Sequence, residues 1–255
     1  MAEDIAGRGD PIKTLQLMWG RVEAPRRGPK SKVTLADLVQ AAVRIADAEG
    51  IGAVSTRRVA EAVGISPMSF YTHIPDKSVL LDLMLDAVSG GDYPAPPFDP
   101  AQWRANITML ATEFRNYHIA HPWVLQVSTH RPVLGPNALR SYEVFLSALD
   151  GLGLDDVEMD MSVTMIVNYV FGATRDVARS RMVKEQTGLS DDEWWYAIAP
   201  FLETLDFSPY PVASRVGPVV GELYGLGDFD RAFNFGLERL LDGLAVLIER
   251  KRGSR

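Results

Sequence analysis

The side chains best spaced for chemistry lie in residues 55–77, STRRVAEAVGISPMSFYTHIPDK. They are not arranged for making or breaking bonds. The stretch reads as two short helices pinned at a tight turn. On the second helix Phe70 and Ile74 point inward, which leaves Met68, Ser69, Thr72 and His73 outward. An exposed helical face of small polar, apolar and basic groups is one that can enter a DNA groove. Upstream, Arg26-Arg27-Gly28-Pro29-Lys30-Ser31-Lys32 places four positive charges in seven residues with no acid. Beside a helix pair of this kind, such an extended arm fits a narrow minor groove.

Other candidate chemistry is thinner. His118 and His121 are three residues apart on a helical stretch and His130 follows, a spacing that could support a metal. Only Glu113 supplies a nearby carboxylate, so no metal and no cofactor is expected. No Gly-x-Ser-x-Gly elbow, phosphate loop or His-Glu-x-x-His is present. The chain has no cysteine, which removes thiolate catalysis and disulfides. Asn168 is an amide amid Ile166, Val167, Val170 and Phe171; if buried, it must bond something.

Helices must position these groups. Thr34 and Asp37 form a capping-box pair, and Leu35, Leu38, Val39, Ala42, Val43, Ile45 and Ala46 recur at helical spacing until Gly50. Ser55 or Thr56 caps the next helix, and Gly64 supplies the turn. Ser66-Pro67 opens the outward-facing helix as N-cap and N1. Asp76 caps a fourth, whose stripe is Val79, Leu80, Leu83, Met84, Ala87 and Val88. Gly90-Gly91 and Pro94, Pro96, Pro97 and Pro100 mark a domain boundary.

Beyond it the pattern stays helical: Trp103–His118, a short helix from Pro122, Asn137–Leu149, and a long helix over 156–184 with Met161, Met165, Ile166, Tyr169, Val170 and Ala173 inside. A shorter helix carrying Trp194-Trp195-Tyr196 and a Pro-interrupted loop from Phe207 to Pro218 follow. The last helix, about Phe229–Arg250, repeats Phe233, Leu237, Leu240, Leu241, Leu244 and Leu247. Two such helices can pair with the same two of a second chain as a four-helix bundle. The expected divisions are a flexible basic N-terminal arm over 1–32, a helix-turn-helix domain over 33–90 and a helical body over 101–252.

Bulk composition is compatible with this plan. With 47% apolar and 23% charged residues the chain is that of an ordinary globular protein, and no apolar run is long enough for a membrane span. A cytoplasmic protein is expected. The net charge of −7 is unevenly spread: residues 1–80 hold 11 Lys/Arg against 9 Asp/Glu, and the remainder 15 against 24. Only the N-terminal third has the sign to approach phosphates.

The sequence resembles the TetR family of bacterial transcriptional regulators. The resemblance rests on the helix from Thr34 to Gly50, then STRRVAEAVGIS, then Phe70-Tyr71-x-His73, then Asp76-Lys77-x-x-Leu80-Leu81. The body resembles the tetracycline-repressor branch through Trp103, Phe114, His121, Arg131-Pro132 and Phe235-Gly236-Leu237-Glu238, and the extension ending in RRGPK looks like the arms of actinobacterial efflux-type regulators.

This resemblance implies an all-α fold, with an N-terminal helix-turn-helix domain and a C-terminal helical ligand-binding and dimerisation domain. It implies that Arg57 reaches a guanine edge or a phosphate, that Ser66 contacts DNA, and that Met68 and Ser69 face bases. Tyr71, His73 and Lys77 match positions used for backbone phosphates, with Arg26, Arg27 and Lys30 extending the footprint. Pro67, Met68 and Ser69 depart from the tetracycline repressor, so a different operator is expected. Pocket candidates by position are Phe114, Trp123, His130, Tyr142, Asn168, Tyr169 and Arg175. The tetracycline repressor's metal-ligating histidine position falls on Val127 or Ser128, so the inducer is expected to be metal-independent. The function expected is a homodimeric, ligand-responsive repressor that binds a palindromic operator and is released by a small hydrophobic or aromatic effector. An enzyme built on the helical body and a ligand-independent DNA-binding regulator are the rivals.

Overall fold

The computed structural model describes residues 6–22, 33–127 and 131–253, and every regular element among them is helical. It divides into two compact units, Met1–Thr164 and Met165–Arg255.

The first unit opens with α1 (Pro11–Met18), whose N-cap Asp10 accepts the N–H groups of Ile12 and Lys13. Residues 6–22 therefore differ from the flexible arm expected over 1–32. Three groups hold them down: the Gly7 N–H donates to Asp82 at 2.7 Å, Thr14 is buried, and the Trp19 indole donates to the Leu134 carbonyl at 3.0 Å. Arg26, Arg27 and Lys30 lie outside the described residues, as does His130.

Three helices follow as expected. α2 (Leu35–Glu49) carries the full Thr34/Asp37 capping box and buries Leu38, Val39, Ala42, Val43 and Ala46. α3 (Thr56–Ala62) is capped by Ser55, and α4 (Pro67–His73) by Ser66 with Pro67 at N1. Between them Gly64 takes φ +74°, a conformation that a side chain would strain. Val59, Ala60, Phe70 and Ile74 are fully buried; a residue larger than Ala60 would push α3 and α4 apart.

α5 (Lys77–Ser89) is buried on nearly every side. It packs against α1, α2 and α7 (Pro136–Ser147), while α6 (Trp103–Ala120) runs into a 3₁₀ turn over Pro122–Gln126. Packing crosses the stretch expected to be a domain boundary, because Asp86 on α5 caps α7: its Oδ1 accepts the N–H groups of Asn137 at 3.1 Å and Ala138 at 3.0 Å. The N-cap residue of α7 is Gly135, and a Cβ there would sit 2.2 Å from Asp86 Oδ1. The glycine lets the carboxylate in. α8 (Asp156–Thr187) begins in this unit, with Met161 57% exposed rather than inside as expected.

In the second unit α8 continues with Ile166 and Val170 buried, while Met165 turns outward. α9 (Asp191–Leu202) has a complete Ser190/Glu193 capping box. The loop expected over 207–218 is instead largely α10 (Pro211–Tyr224). Pro211 is harmless at the helix start, and Pro218 lies inside the helix at the cost of one backbone bond. α11 (Phe229–Gly253) buries Phe233, Leu237, Leu241, Leu244 and Ile248. The Tyr169 hydroxyl donates to the carbonyls of Phe233 and Ala232 at 2.8 and 3.1 Å, over Gly236.

Candidate nucleic-acid interface

The outward side of α4 has the exposure a reading face needs. Met68 is 77% exposed, whereas Phe70, two residues on, is wholly buried. The helix is fixed at both ends. Ser66 Oγ accepts the Ser69 N–H at 3.2 Å and meets Ser69 Oγ at 2.9 Å, so Ser66 works as a cap and is already engaged. Tyr71 OH lies 3.1 Å from Thr56 Oγ1, and its ring stands edge-on to Phe70, so the phenol ties α4 to the start of α3. Thr72 Oγ1 donates to the Ser69 carbonyl at 2.6 Å.

Arg57 is exposed on α3, and its guanidinium bonds Glu61 at 2.9 Å, one turn further on. The hydrogen bond that Arg57 donates to Glu61, and secondarily the charge of Glu61, hold the Arg57 pKa above its ordinary value. Contact with a base or phosphate would take Arg57 from this partner. Its neighbour Arg58 pairs with Glu49 and so fastens α3 to the end of α2.

His73 closes α4 and Lys77 opens α5, both half-buried. At the start of α5 the backbone N–H groups are already engaged. Asp76 Oδ1 already accepts the N–H groups of Ser78 at 2.8 Å and Val79 at 3.0 Å. Burial raises the Asp76 pKa, but the bonds from Ser78 and Val79 outweigh it and leave the group below its ordinary value. A phosphate here would rely on the Lys77 side chain more than on free N–H groups.

Of the pocket candidates in the first unit, Phe114 is half-buried on α6, 4.3 Å from the His118 ring and edge-on to Phe145. Trp123 is fully buried, and its indole N–H donates to Asp47 on α2 at 2.8 Å. Tyr142 is 39% exposed and donates to Asp160 at 2.7 Å. That bond, ahead of burial, raises its pKa.

In the second unit Tyr169 spends its hydroxyl on α11, while Asn168 and Arg175 lie exposed on α8. The condition placed on Asn168, burial, is not met in the single chain. His118 Nδ1 donates to the Phe114 carbonyl at 2.6 Å and His121 Nδ1 to Asp47 at 2.7 Å, so the two histidines face different partners. Burial above all lowers the His118 pKa, against the bond to Phe114.

Sequence reasoning missed Asp47, Asp82 and Asp86. The last two carried a signal: acids inside the apolar run VLLDLMLDAV must be paired if that helix is buried. Asp47 carried none, since nothing near it in sequence marks a partner 74 residues away.

A short capped helix with a bare outward face, in a chain whose later described elements include long helices, is the arrangement of a helix-turn-helix DNA-binding protein. Comparisons agree. Residues 38–84 match the model of bacterial regulatory proteins of the tetR family, and residues 95–248 match the tetracyclin repressor-like C-terminal domain. The HTH-type transcriptional repressor DrrR1 of Streptomyces coeruleorubidus is 41% identical over 251 residues, 98% of this chain and 91% of that protein. Among solved structures, apo ActR from Streptomyces coelicolor superposes with a TM-score of 0.72 at 24% identity, over 87% of this chain and 99% of its own. ActR in complex with actinorhodin gives 0.70 at 27% identity, over 84% and 96%. The chain belongs to the TetR family and is a ligand-responsive DNA-binding transcriptional regulator, not an enzyme. No helix among the described residues is long and apolar enough to cross a membrane.

Proposed function

We propose that this protein is a cytoplasmic repressor that binds a palindromic operator as a homodimer and leaves it when a small hydrophobic or aromatic effector binds the body. The observation that carries the reading is α4, braced by Ser66, Phe70 and Tyr71 while Met68 stands 77% exposed. In this reading Met68 and Ser69 contact bases, and Arg57 contacts a base or phosphate after leaving Glu61. Ser66 positions them; Tyr71, His73 and Lys77 bond phosphates. Arg26, Arg27 and Lys30 enter the flanking minor groove.

Two heads must be held about 34–36 Å apart to meet successive major grooves, which calls for a dimer. Apolar side chains left exposed in the second unit support one: Met165 at 41%, Val219 at 64% and Phe235 at 64%. Phe114, Trp123, His130, Tyr142, Asn168, Tyr169 and Arg175 remain the residues proposed near the effector, with Phe114 the best supported by its half-buried aromatic setting. The effector is metal-independent, and its aromatic class is supported by the actinorhodin complex of ActR.

Fluorescence anisotropy on duplexes from the region beside the gene tests this. Specific binding with a log–log salt slope of several units is expected, with release by added actinorhodin as the first aromatic polycyclic probe, unchanged by chelator. Binding without sequence preference would overturn the operator reading. Specific binding that no aromatic probe relieves would favour ligand-independent regulation.

A further inference from the structure

We infer that Asp47 is a positioning residue through which the body fixes the pose of the DNA-reading helices. Asp47 belongs to α2, the first helix of the reading head. Its Oδ1 accepts two bonds from the far side of the chain: the His121 ring at 2.7 Å and the Trp123 indole at 2.8 Å. Both donors flank Pro122, where α6 ends and the 3₁₀ turn begins.

Local helix energetics do not explain an acid at this place. Asp47 lies in the last turn of α2, where the helix dipole disfavours negative charge. The long-range pair explains it. Trp123 is fully buried and Nε1 is its only polar side-chain atom, so losing Asp47 would strand an N–H in the interior. The His121 ring is itself seated against Tyr117, 4.7 Å between centroids. Two donors converging on one oxygen thus hold α2 to the end of α6 at two points.

The same helix carries Phe114, a proposed effector contact, whose ring lies tilted against that of His118, 4.3 Å between centroids, one turn before the His121 end. A shift of α6 along or about its axis therefore moves one of the two donors that hold Asp47. The consequence for operator release rests on the function proposed above; the positioning role itself rests only on this geometry.

The chain has no cysteine, so introduced ones label cleanly. Gln40→Cys on α2 and Glu143→Cys on α7 are both exposed sites, and full-length protein carrying a spin label at each, diluted with unlabelled protein, reports the head-to-body distance within one chain. The parent should give one narrow distribution. Asp47→Ala should broaden it about twofold, whereas Asp47→Asn, which keeps an oxygen acceptor for both donors, should not. His121→Ala, which leaves the indole bond in place, should fall between them and keeps the test readable if Asp47→Ala does not fold. An unchanged distribution in Asp47→Ala and His121→Ala overturns the inference, even if melting temperature falls, because Asp47 would then be packing alone. Equal broadening in Asp47→Asn overturns the hydrogen-bond account. None of these readings needs DNA or effector, so failure of the repressor reading would appear separately, as absent specific binding by the unmutated protein.

Discussion

Asp86 accepts both the backbone N–H of Asn137 at 3.1 Å and its side-chain amide at 3.2 Å, so one carboxylate on α5 serves as the N-cap of α7. Gly135 makes room for it, and a residue without a side-chain acceptor at 86 would leave the first turn of α7 without a cap. Burial is the largest influence on Asp86 and raises its pKa against the bonds from Ala138 and Asn137. The helix that leaves the reading head is thus bonded directly to the body.

Asp86→Ala should destabilise the protein by about 2 kcal/mol, from the lost cap and the stranded N–H groups. Thermal melting should show a fall of roughly 4–8 °C. A change within error would mean that water caps α7 equally well. Gly135→Ala should be at least as damaging, since its Cβ meets Asp86.

His118 gives a pH dependence with a definite sign. Burial lowers its folded-state pKa below that of the unfolded chain. Stability is therefore fully present above about pH 6.5 and falls as pH drops below it toward the lowered folded value, by at most about 1.4 kcal/mol per pH unit. His118→Gln should remove that part of the slope. Denaturant titrations of both proteins between pH 5 and 8 would check it; parallel curves would refute it.

Freeing Arg57 should strengthen DNA binding. Glu61→Gln removes the charge that holds the guanidinium in an exposed, solvent-screened pair. Operator affinity should rise by up to roughly fivefold at low salt. No gain, or a loss, would mean Arg57 does not touch the duplex.

Tyr71→Ala should weaken all duplexes alike, through a lost phosphate contact and the lost tie to Thr56. Met68→Ala should instead reorder affinities among operator variants. Anisotropy on a panel of single-base variants distinguishes the two patterns. Uniform weakening by Met68→Ala would remove it from the reading set.

Replacing Arg26, Arg27 and Lys30 together by Ala should lower the log–log salt slope by about 5.4 for the dimer, if each of the six side chains neutralises one phosphate. An unchanged slope would return the run to the role of a linker.

The reading helices were legible because their determinants are local. Thr34 with Asp37, Ser66 with Pro67, Gly64 and Asp76 each act within a few residues of chain, and all fall where spacing put them. What escaped was set by distant partners. Trp123 looked like a pocket wall from its type and position, and only the fold reveals Asp47 beneath its indole. Met161 and Met165 fit a helical stripe equally well inside or outside, because methionine does not declare a face. Pro218 read as a breaker, yet α10 carries it. Near the reading face, the engagement of Arg57 by Glu61 follows from i, i+4 spacing and could have been found; the cap that Asp76 places over the α5 N-terminus was seen as a helix start but not as competition for phosphate.

The seating of residues 6–19 matters for anyone building chimaeras from this protein. Gly7 bonds Asp82 on α5, Arg131 bonds the Gly7 carbonyl at 3.1 Å, and Trp19 bonds Leu134, so one strand of chain is stitched to two separate places. A head graft cut at residue 33 would leave the donor's α5 beside a foreign strap, with Asp82 robbed of its N–H. Grafts for engineered sensors should therefore carry the strap, α5 and the 131–134 segment from a single parent, and exchange only α2 to α4 while keeping an acceptor for His121 and Trp123 at position 47.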